Sequence, residues 1–408
     1  MIVYLTILSL TLLGIPLLFL FLWVKRFLAL FPPRPVASAT AELPRAVVVL
    51  AIRGADPSLV QCLDGLLTQD YPHYAVRIVI DNSEDPGWKI VHRALERHRK
   101  AQVQVSMLEE RRQTCSLKLS ALVQALQDLD NDCEAVVLID ADVIPHPTWL
   151  RDLATPLTNP RVGATTGIRW YVADGTGWGT LVRQLWNTTA SVVMHALHIP
   201  WGGSLAFRAD VLRSSDALDR WGHSLFEDTG FQRVIRNLGL RLRTVPAATM
   251  INRESTDLGS CYRFVRRQLL NTRLYHARWP AIFLHGLAFT LAPALALGTL
   301  AVAVALGQWS TAAWLAAGLT LFVLIAGGLL RTVERRVQGD EVKALSAKTV
   351  AAVPLTMAVY LASLLSAALI RRVDWRGVTY EFRGPWNVRL LDYQPYRAVT
   401  ADRTASVV

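Results

Sequence analysis

Apolar runs of bilayer length constrain this chain more than any other feature. Residues 1–24 are almost wholly apolar and are closed by Lys25-Arg26; two further runs, 281–307 and 312–330, are joined by Gln308-Trp309-Ser310-Thr311. A helix of about 20 apolar residues crosses a hydrocarbon core. The first run has its charges after the apolar stretch, the reverse of a cleavable signal peptide, so an uncleaved anchor with its N-terminus outside and Lys25 inside is expected. A fourth run, 350–370, is followed by Arg371, Arg372 and Arg376, which a full span would carry outside, against the positive-inside bias. A re-entrant or interfacial segment with an inside C-terminus is expected there.

The chain has 408 residues, of which 52% are apolar and 18% charged, against about a quarter charged in soluble domains. The deficit is concentrated in the apolar runs, and the middle has ordinary soluble composition. Disordered and fibrous classes are excluded. The expected organisation is a transmembrane anchor at 1–24, a juxtamembrane linker at 25–44 stiffened by Pro32-Pro33-Arg34-Pro35, one soluble α/β domain at 45–278, a transmembrane or re-entrant region at 279–370 and a basic cytosolic tail at 371–408.

Formal net charge is +11, but the basic residues flank the apolar runs (Lys25, Arg26, Arg331, Arg335, Arg336, Arg371, Arg372) instead of forming one block. Anionic headgroups are the expected partner, and nucleic acid is not. Cys62, Cys115, Cys133 and Cys261 are scattered with no CxxC pair, so neither a zinc site nor a disulfide framework is indicated, and reduced thiols fit best.

Within 45–278, short aliphatic runs alternate with helical periodicity. Strands are expected at 46–52, 76–80, 103–107 and 136–139, and helices at 57–67 (Asp56 as N-cap), 88–100 and 117–129. Such alternation makes a mainly parallel sheet, whose ligands bind at the carboxyl ends of its strands. Asp81 and the pair Asp140-Ala141-Asp142 fall there. Neither GxGxxG nor GxxxxGK[ST] occurs, and HExxH and GxSxG are also absent, so dinucleotide, P-loop, zincin and serine-hydrolase readings lose support.

Asp140 and Asp142 can approach a divalent cation, Mg²⁺ or Mn²⁺, held by substrate phosphates; a DxD in a turn or cap is the plain alternative. Asp81 can hydrogen-bond a nucleotide or end a solvated acidic turn. Asp228, in Phe226-Glu227-Asp228, is either a general base or the N-cap of a helix at 229–238. Arg263, Arg266 and Arg267 fall near one helical face, with Arg273 beyond, suited to a diphosphate or to lipid headgroups. Trp201-Gly202-Gly203-Ser204 is an acceptor loop or a turn.

In order along the chain, these pieces resemble a family 2-type membrane glycosyltransferase of the GT-A (Rossmann-like) fold, most nearly the ceramide glucosyltransferase branch. The residues that carry the resemblance are Gly54-Ala-Asp-Pro57, Leu66-Leu-Thr-Gln-Asp-Tyr-Pro72, Asp81-Asn-Ser-Glu-Asp-Pro86, Lys118, Asp140-Ala-Asp142, Gly202-Gly-Ser-Leu-Ala-Phe-Arg208, Phe226-Glu-Asp228, Arg267-Gln268 and Val373-Asp-Trp-Arg-Gly-Val-Thr-Tyr380. The resemblance implies a cytosol-facing GT-A domain on a multi-pass membrane protein, binding a UDP-sugar. It implies Asp81, Lys118, Asp140, Arg266, Arg267, Gln268 and Arg273 around the nucleotide-sugar, and Asp142 with Asp140 at the metal. Asp228 would be the base of an inverting displacement onto the hydroxyl of a membrane lipid such as ceramide or diacylglycerol. Processive polysaccharide synthesis and an inactive membrane scaffold are the alternatives. The chain departs from the family's QxxRW box, reading Gln268-Leu-Leu-Asn271-Thr272 with Arg273 one position beyond.

Overall fold

The structure is a computed structural model that describes residues 2–31, 42–99, 101–342 and 344–396. The Pro32-Pro33-Arg34-Pro35 spacer and the tail from residue 397 lie outside the described residues.

Helix α1 (Ile2–Leu28) precedes a seven-stranded sheet of β1 (Ala46–Ile52), β2 (Tyr74–Ile80), β3 (Val103–Met107), β4 (Ala135–Ile139), β5 (Val162–Tyr171), β6 (Ser204–Arg208) and β7 (Arg241–Asn252). Its order is β3-β2-β1-β4-β6-β5-β7. The neighbours are parallel except at β6, which runs antiparallel to β4 and β5. The first four strands are Val- and Ile-rich runs covered on both faces, as parallel strands require. Helices α2 (Leu59–Leu66), α3 (Gly87–Arg97) and α5 (Trp149–Ala154) supply one cover and α4 (Leu117–Gln127) with α9 (Phe231–Asn237) the other. The short helices α7 (Ala209–Arg213) and α8 (Ala217–Trp221) join the α4 side.

Register decides where the site falls. Ile52 is opposite Ile80, and Leu50 is opposite Ile139, so Arg53, Asp81 and Asp140 emerge side by side at one edge. Because β6 is antiparallel, with Ser204 opposite Ile139, the loop before it returns Trp201, Gly202 and Gly203 to the same edge.

Strands β1 and β3 have the bounds expected from the sequence, and β2, β4, α3 and α4 differ at their ends. Asp56 does not cap α2; Ser58 occupies that position, and the Asp56 carboxylate accepts from Arg376 at 2.8 Å. Asp228 is likewise not the cap of α9, where Gly230 stands. All four cysteines are buried and unpaired.

Helices α1, α11 (Trp279–Ala305) and α12 (Trp309–Gln338) pack together through Leu13, Ala292, Ala296, Ala303, Leu315 and Phe322. With α13 (Ala347–Leu369) they are the four helices among the described residues long and apolar enough to cross a membrane. Beneath the bundle lie α6 (Trp178–Leu197) and α10 (Leu258–Tyr275), whose Val182, Phe264 and Leu269 share a core with Val359, Leu364 and Ala367 of α13. Helix α13 is unbroken, so it makes no re-entrant turn, and both of its ends rest on the α/β domain. Before it, Glu341 pairs with Arg253 and Lys348 lies over the Trp178 ring; after it, the chain enters strand β8 (Arg372–Trp375).

The tail corrects the expectation of a basic appendage. With β9 (Val378–Gly384) and β10 (Asn387–Tyr393), β8 forms an antiparallel sheet whose Val373, Val378, Tyr380, Phe382 and Val388 complete the core beside α4. Tyr380 Oη accepts from the Leu117 N–H at 3.1 Å. The α/β unit therefore extends from β1 through β10, with the long apolar helices α11, α12 and α13 inserted before its last sheet. Phe382→Ala is expected to cost about 3–5 kcal/mol by opening a cavity in this core. Replacing the exposed neighbour Arg383 by Ala should change stability little. Denaturation of the detergent-purified variants checks both.

Candidate active site

Asp81 ends β2 almost completely buried. Its Oδ2 accepts from Arg53 and, at 3.1 Å, from the Tyr393 hydroxyl of the tail. Its Oδ1 has no hydrogen bond. The next residue, Asn82, is turned to local work: Oδ1 accepts from the Glu84 N–H at 2.9 Å.

The DxD lies one strand away. Lys118 of α4 donates at 2.6 Å to Asp140 Oδ1 and at 2.6 Å to Glu227, an ammonium between two carboxylates. Burial opposes the charged form of Lys118, and the two carboxylates outweigh it, so the ammonium is held protonated. Burial likewise pushes Glu227 up, partly countered by Lys118. Asp142 Oδ2 accepts from Arg169 of β5 at 2.6 Å, and Asp142 Oδ1 is buried without a partner. Burial raises the Asp142 carboxyl, but Arg169 and Arg376 bring it down to about 2. Its contribution to stability is therefore present above its ordinary value of 3.8 and fades as the pH falls through about 2.

Two glycines make the approach possible. A Cβ on Gly202 would lie 1.9 Å from Glu227 Oε1, and one on Gly203 2.4 Å from Asp140 Oδ2. That loop also fixes Asp228: Oδ2 accepts from the Gly202 N–H at 3.0 Å, and Oδ1 from Thr229 N–H at 2.6 Å and Asn271 Nδ2 at 2.8 Å.

The cleft of about 160 Å³ between these groups is formally balanced, lined by Asp81, Asp140, Asp142, Glu227 and Asp228 against Arg53, Lys118, Arg169, Arg267 and Arg376. Arg267 makes no ion pair among the described residues; its guanidinium stacks 5.2 Å over the Trp375 ring. Burial, with Arg376 and Arg169 nearby, lowers it to about 10, which leaves it a cation at neutral pH in want of an anion.

A second cavity, of about 760 Å³, is mostly apolar and opens among α1, α6, α11 and α13, with Phe19, Trp23, Ala190, Phe289 and Met357 in its walls. Arg169, Trp201, Asp228, Gln268 and Asn271 line both spaces, so the two meet at Asp228.

Of the residues singled out from the sequence, the fold brings Asp81, Lys118, Asp140, Asp142, Trp201, Gly202, Gly203, Asp228, Arg267 and Gln268 to this junction. Four lie elsewhere. Arg266 sits by the Tyr262 ring, Arg273 donates to the Ala367 carbonyl of α13 at 2.6 Å, Ser204 is buried within β6 accepting from Trp149, and Arg263 donates to Ser260 Oγ at 2.8 Å. Helical geometry explains the first: on α10, Arg266 is turned about 100° from Arg267, so only one faces the cleft.

Sequence reasoning missed Arg53, Arg169, Asn271 and Arg376. Arg376 and Gly377 form the two-residue turn between β8 and β9, both at positive φ (50° and 72°). The arginine is held there by the Arg53 carbonyl at 2.9 Å and by Asp56. Its signal was the Trp375-Arg376-Gly377 run.

The chain matches the family described as Glycosyl transferase family 21 over residues 6–386, and it belongs to that family. Among solved structures it is similar in fold to the mannosyltransferase PcManGT from Pyrobaculum calidifontis in complex with GDP-Man and Mn²⁺. The TM-score is 0.56 at 24% identity, over 84% of this chain and 100% of that one. GalNAc-T7 with UDP, GalNAc and Mn²⁺ matches at TM-score 0.41 and 14% identity, over 58% of this chain and 50% of that one. Glucosyl-3-phosphoglycerate synthase from Mycobacterium tuberculosis with Mn²⁺ and UDP-glucose matches at TM-score 0.36 and 18% identity, over 55% and 78%.

Lys118→Met should be among the costliest single changes, because it leaves the half-buried Asp140 and the buried Glu227 without their shared cation; a loss of about 3 kcal/mol is expected. Adding Glu227→Gln removes one of the two charges and should recover part of it, which denaturant unfolding of the single and double variants would read.

Proposed function

We propose that this member of glycosyl transferase family 21 moves one sugar from a nucleoside-diphosphate sugar, a UDP-sugar in the first instance, to the hydroxyl of a membrane lipid. The observation that carries the reading is the junction: a charged cleft and an apolar cavity reaching the membrane helices share Asp228.

The donor belongs in the charged cleft. Asp81 Oδ1, buried and without a hydrogen bond, with the Arg111 guanidinium 3.7 Å away, is an acceptor for a base or ribose donor group. Arg267 offers its uncompensated charge to the diphosphate, and Arg169 and Arg376, paired with Asp142 and Asp56, add positive charge to the same lining. The residues present fit a divalent cation. Asp142 Oδ1 is an orphaned buried acceptor on the cleft, with Asp140 beside it. No group of three or more metal-binding side chains occurs among the described residues, so the donor phosphates would complete the coordination. In a cleft whose formal charges balance, a diphosphate arriving with Mg²⁺ or Mn²⁺ adds no net charge. The ion would offset negative charge on the leaving diphosphate.

Asp228 takes the proton of the acceptor hydroxyl as its oxygen attacks the anomeric carbon, and the bond to the diphosphate breaks on the opposite face, inverting the centre. Three N–H donors hold the carboxylate in one orientation for this. The apolar cavity takes the lipid chains and admits the acceptor sideways from the bilayer.

This reading places α1, α11 and α12 across the membrane, with the α/β domain at the cytosolic face beside Lys25, Arg26 and Arg335. Helix α13, about 34 Å long at 1.5 Å per residue, then lies along the cytosolic interface with α6 and α10, because both of its ends touch the same domain. Single cysteines at Thr349 and Arg371 should both label from the cytosolic side of sealed vesicles; labelling of either from outside would overturn the arrangement. Native thiols, all buried, give little background.

The activity itself is tested on purified protein in anionic lipid nanodiscs with UDP-glucose, UDP-galactose, UDP-N-acetylglucosamine and, since the similar archaeal enzyme binds it, GDP-mannose. Nucleotide release matched by a lipid gaining one sugar is expected. EDTA should abolish it and Mn²⁺ or Mg²⁺ restore it. Asp228→Asn should lower the rate about 10²–10⁴-fold with donor binding kept. Release accompanied by a growing polymer would replace the reading.

A further inference from the structure

Asn271 stands where the family's Gln268 box would carry its arginine, and its side chain has two distinct faces. Nδ2 donates to Asp228 Oδ1 at 2.8 Å. That contact settles the amide orientation, since the carbonyl oxygen in the same place would meet a carboxylate oxygen. Oδ1 is consequently turned away from Asp228, is buried, and has no hydrogen bond among the described residues. An amide oxygen left so is unfavourable unless something bound supplies a donor. The residue lines both cavities and its amide touches Asp228, so this unpaired acceptor lies beside the place where the attacked hydroxyl must sit.

We propose that Asn271 is a positioning residue that also reads the acceptor: its amide holds the Asp228 carboxylate in place, and its carbonyl accepts a hydrogen bond from a second donor, an N–H or O–H, carried by the lipid beside the hydroxyl to be glycosylated. The inference rests on the lipid-acceptor reading and narrows it. A lipid whose hydroxyl is flanked only by ester groups leaves Oδ1 unpaired, and a site built to bond a donor discriminates against an analogue lacking it more strongly than an apolar pocket does against a missing methylene.

The test compares a long-chain 2-(acylamino)alkan-1-ol with its N-methylated counterpart and with diacylglycerol in nanodiscs, using wild type, Asn271→Ala and Asn271→Asp. Wild type should use the N–H acceptor about tenfold or more better, in kcat/KM, than the N-methylated one. In Asn271→Ala that preference should fall to near unity, and kcat should drop with donor KM unchanged. Asn271→Asp keeps an acceptor oxygen but sets a second carboxyl against Asp228, and the proton the two would share ties up the base, so it should retain the preference while losing kcat. A merely structural role would not separate these effects.

Equal discrimination in wild type and Asn271→Ala overturns the acceptor half. An unchanged kcat in Asn271→Asp overturns the positioning half. Donor consumption by wild type with no lipid product defeats the lipid reading and the acceptor half with it; kcat of Asn271→Asp on the product then formed still decides the positioning half.

Discussion

The Lys118 ammonium lies 2.6 Å from both Asp140 and Glu227, and the cleft is arranged around that contact. It joins three segments far apart in the chain: the first turn of α4, the end of β4 and the stretch that carries Asp228. Without a shared cation, two buried carboxylates would not be brought this close. Once Glu227 is held, Asp228 is set within reach of the Gly202 N–H and Asn271. The missing Cβ atoms at Gly202 and Gly203 let the loop before β6 close over both acids. The arrangement thus couples Asp140 to the stretch that carries Asp228 through one lysine, so disturbance on either side is felt on the other.

On the proposed reading, a membrane-embedded acceptor adds a second constraint. A nucleotide-sugar arrives from water and a lipid from the bilayer, and the reacting atoms must nonetheless meet in one place. The fold answers by seating α6 and α10 directly beneath the bundle and running β5 and α10 from the apolar cavity to the charged cleft. Helix α13 seals this layer, and the chain then returns to finish the catalytic core with β8–β10. A tail that supplies both core residues and Arg376 belongs to the same folded unit, and on the proposed reading the hydrophobic segment before it therefore begins and ends on the same side.

Much of the α/β core was legible because period and position agree. Val- and Ile-rich runs such as 46–52 are too short for helices and lie between helical patterns, and each acid that follows a strand falls at the sheet's ligand-binding edge. The antiparallel β6, the long β5 and the β8–β10 sheet were not legible. Their residues read locally as loops or tail, and their strand character comes from partners distant in sequence. The same split holds for the site. Asp81, Asp142 and Asp228 follow from local pattern, whereas Arg53, Arg169 and Arg376 are single arginines among 43 basic residues, placed only by the fold. On α10 the box at Gln268 located the right helix but could not say which arginine turns inward.

The departure at that box also has a physical logic. Positive charge assists catalysis where negative charge builds on a departing diphosphate, and on the proposed reading the chain supplies it there from β5, α10 and the β8–β9 turn through Arg169, Arg267 and Arg376, which line the cleft. Beside the base a cation would act the other way, because it favours the charged form of the carboxylate that must accept a proton. Asn271 gives Asp228 the same directional N–H contact without that charge. An arginine sufficient for both tasks in one box is here divided into cations on the leaving-group side and a neutral amide on the base side. The amide keeps one atom free for the acceptor, which an arginine, having only donors, could not offer.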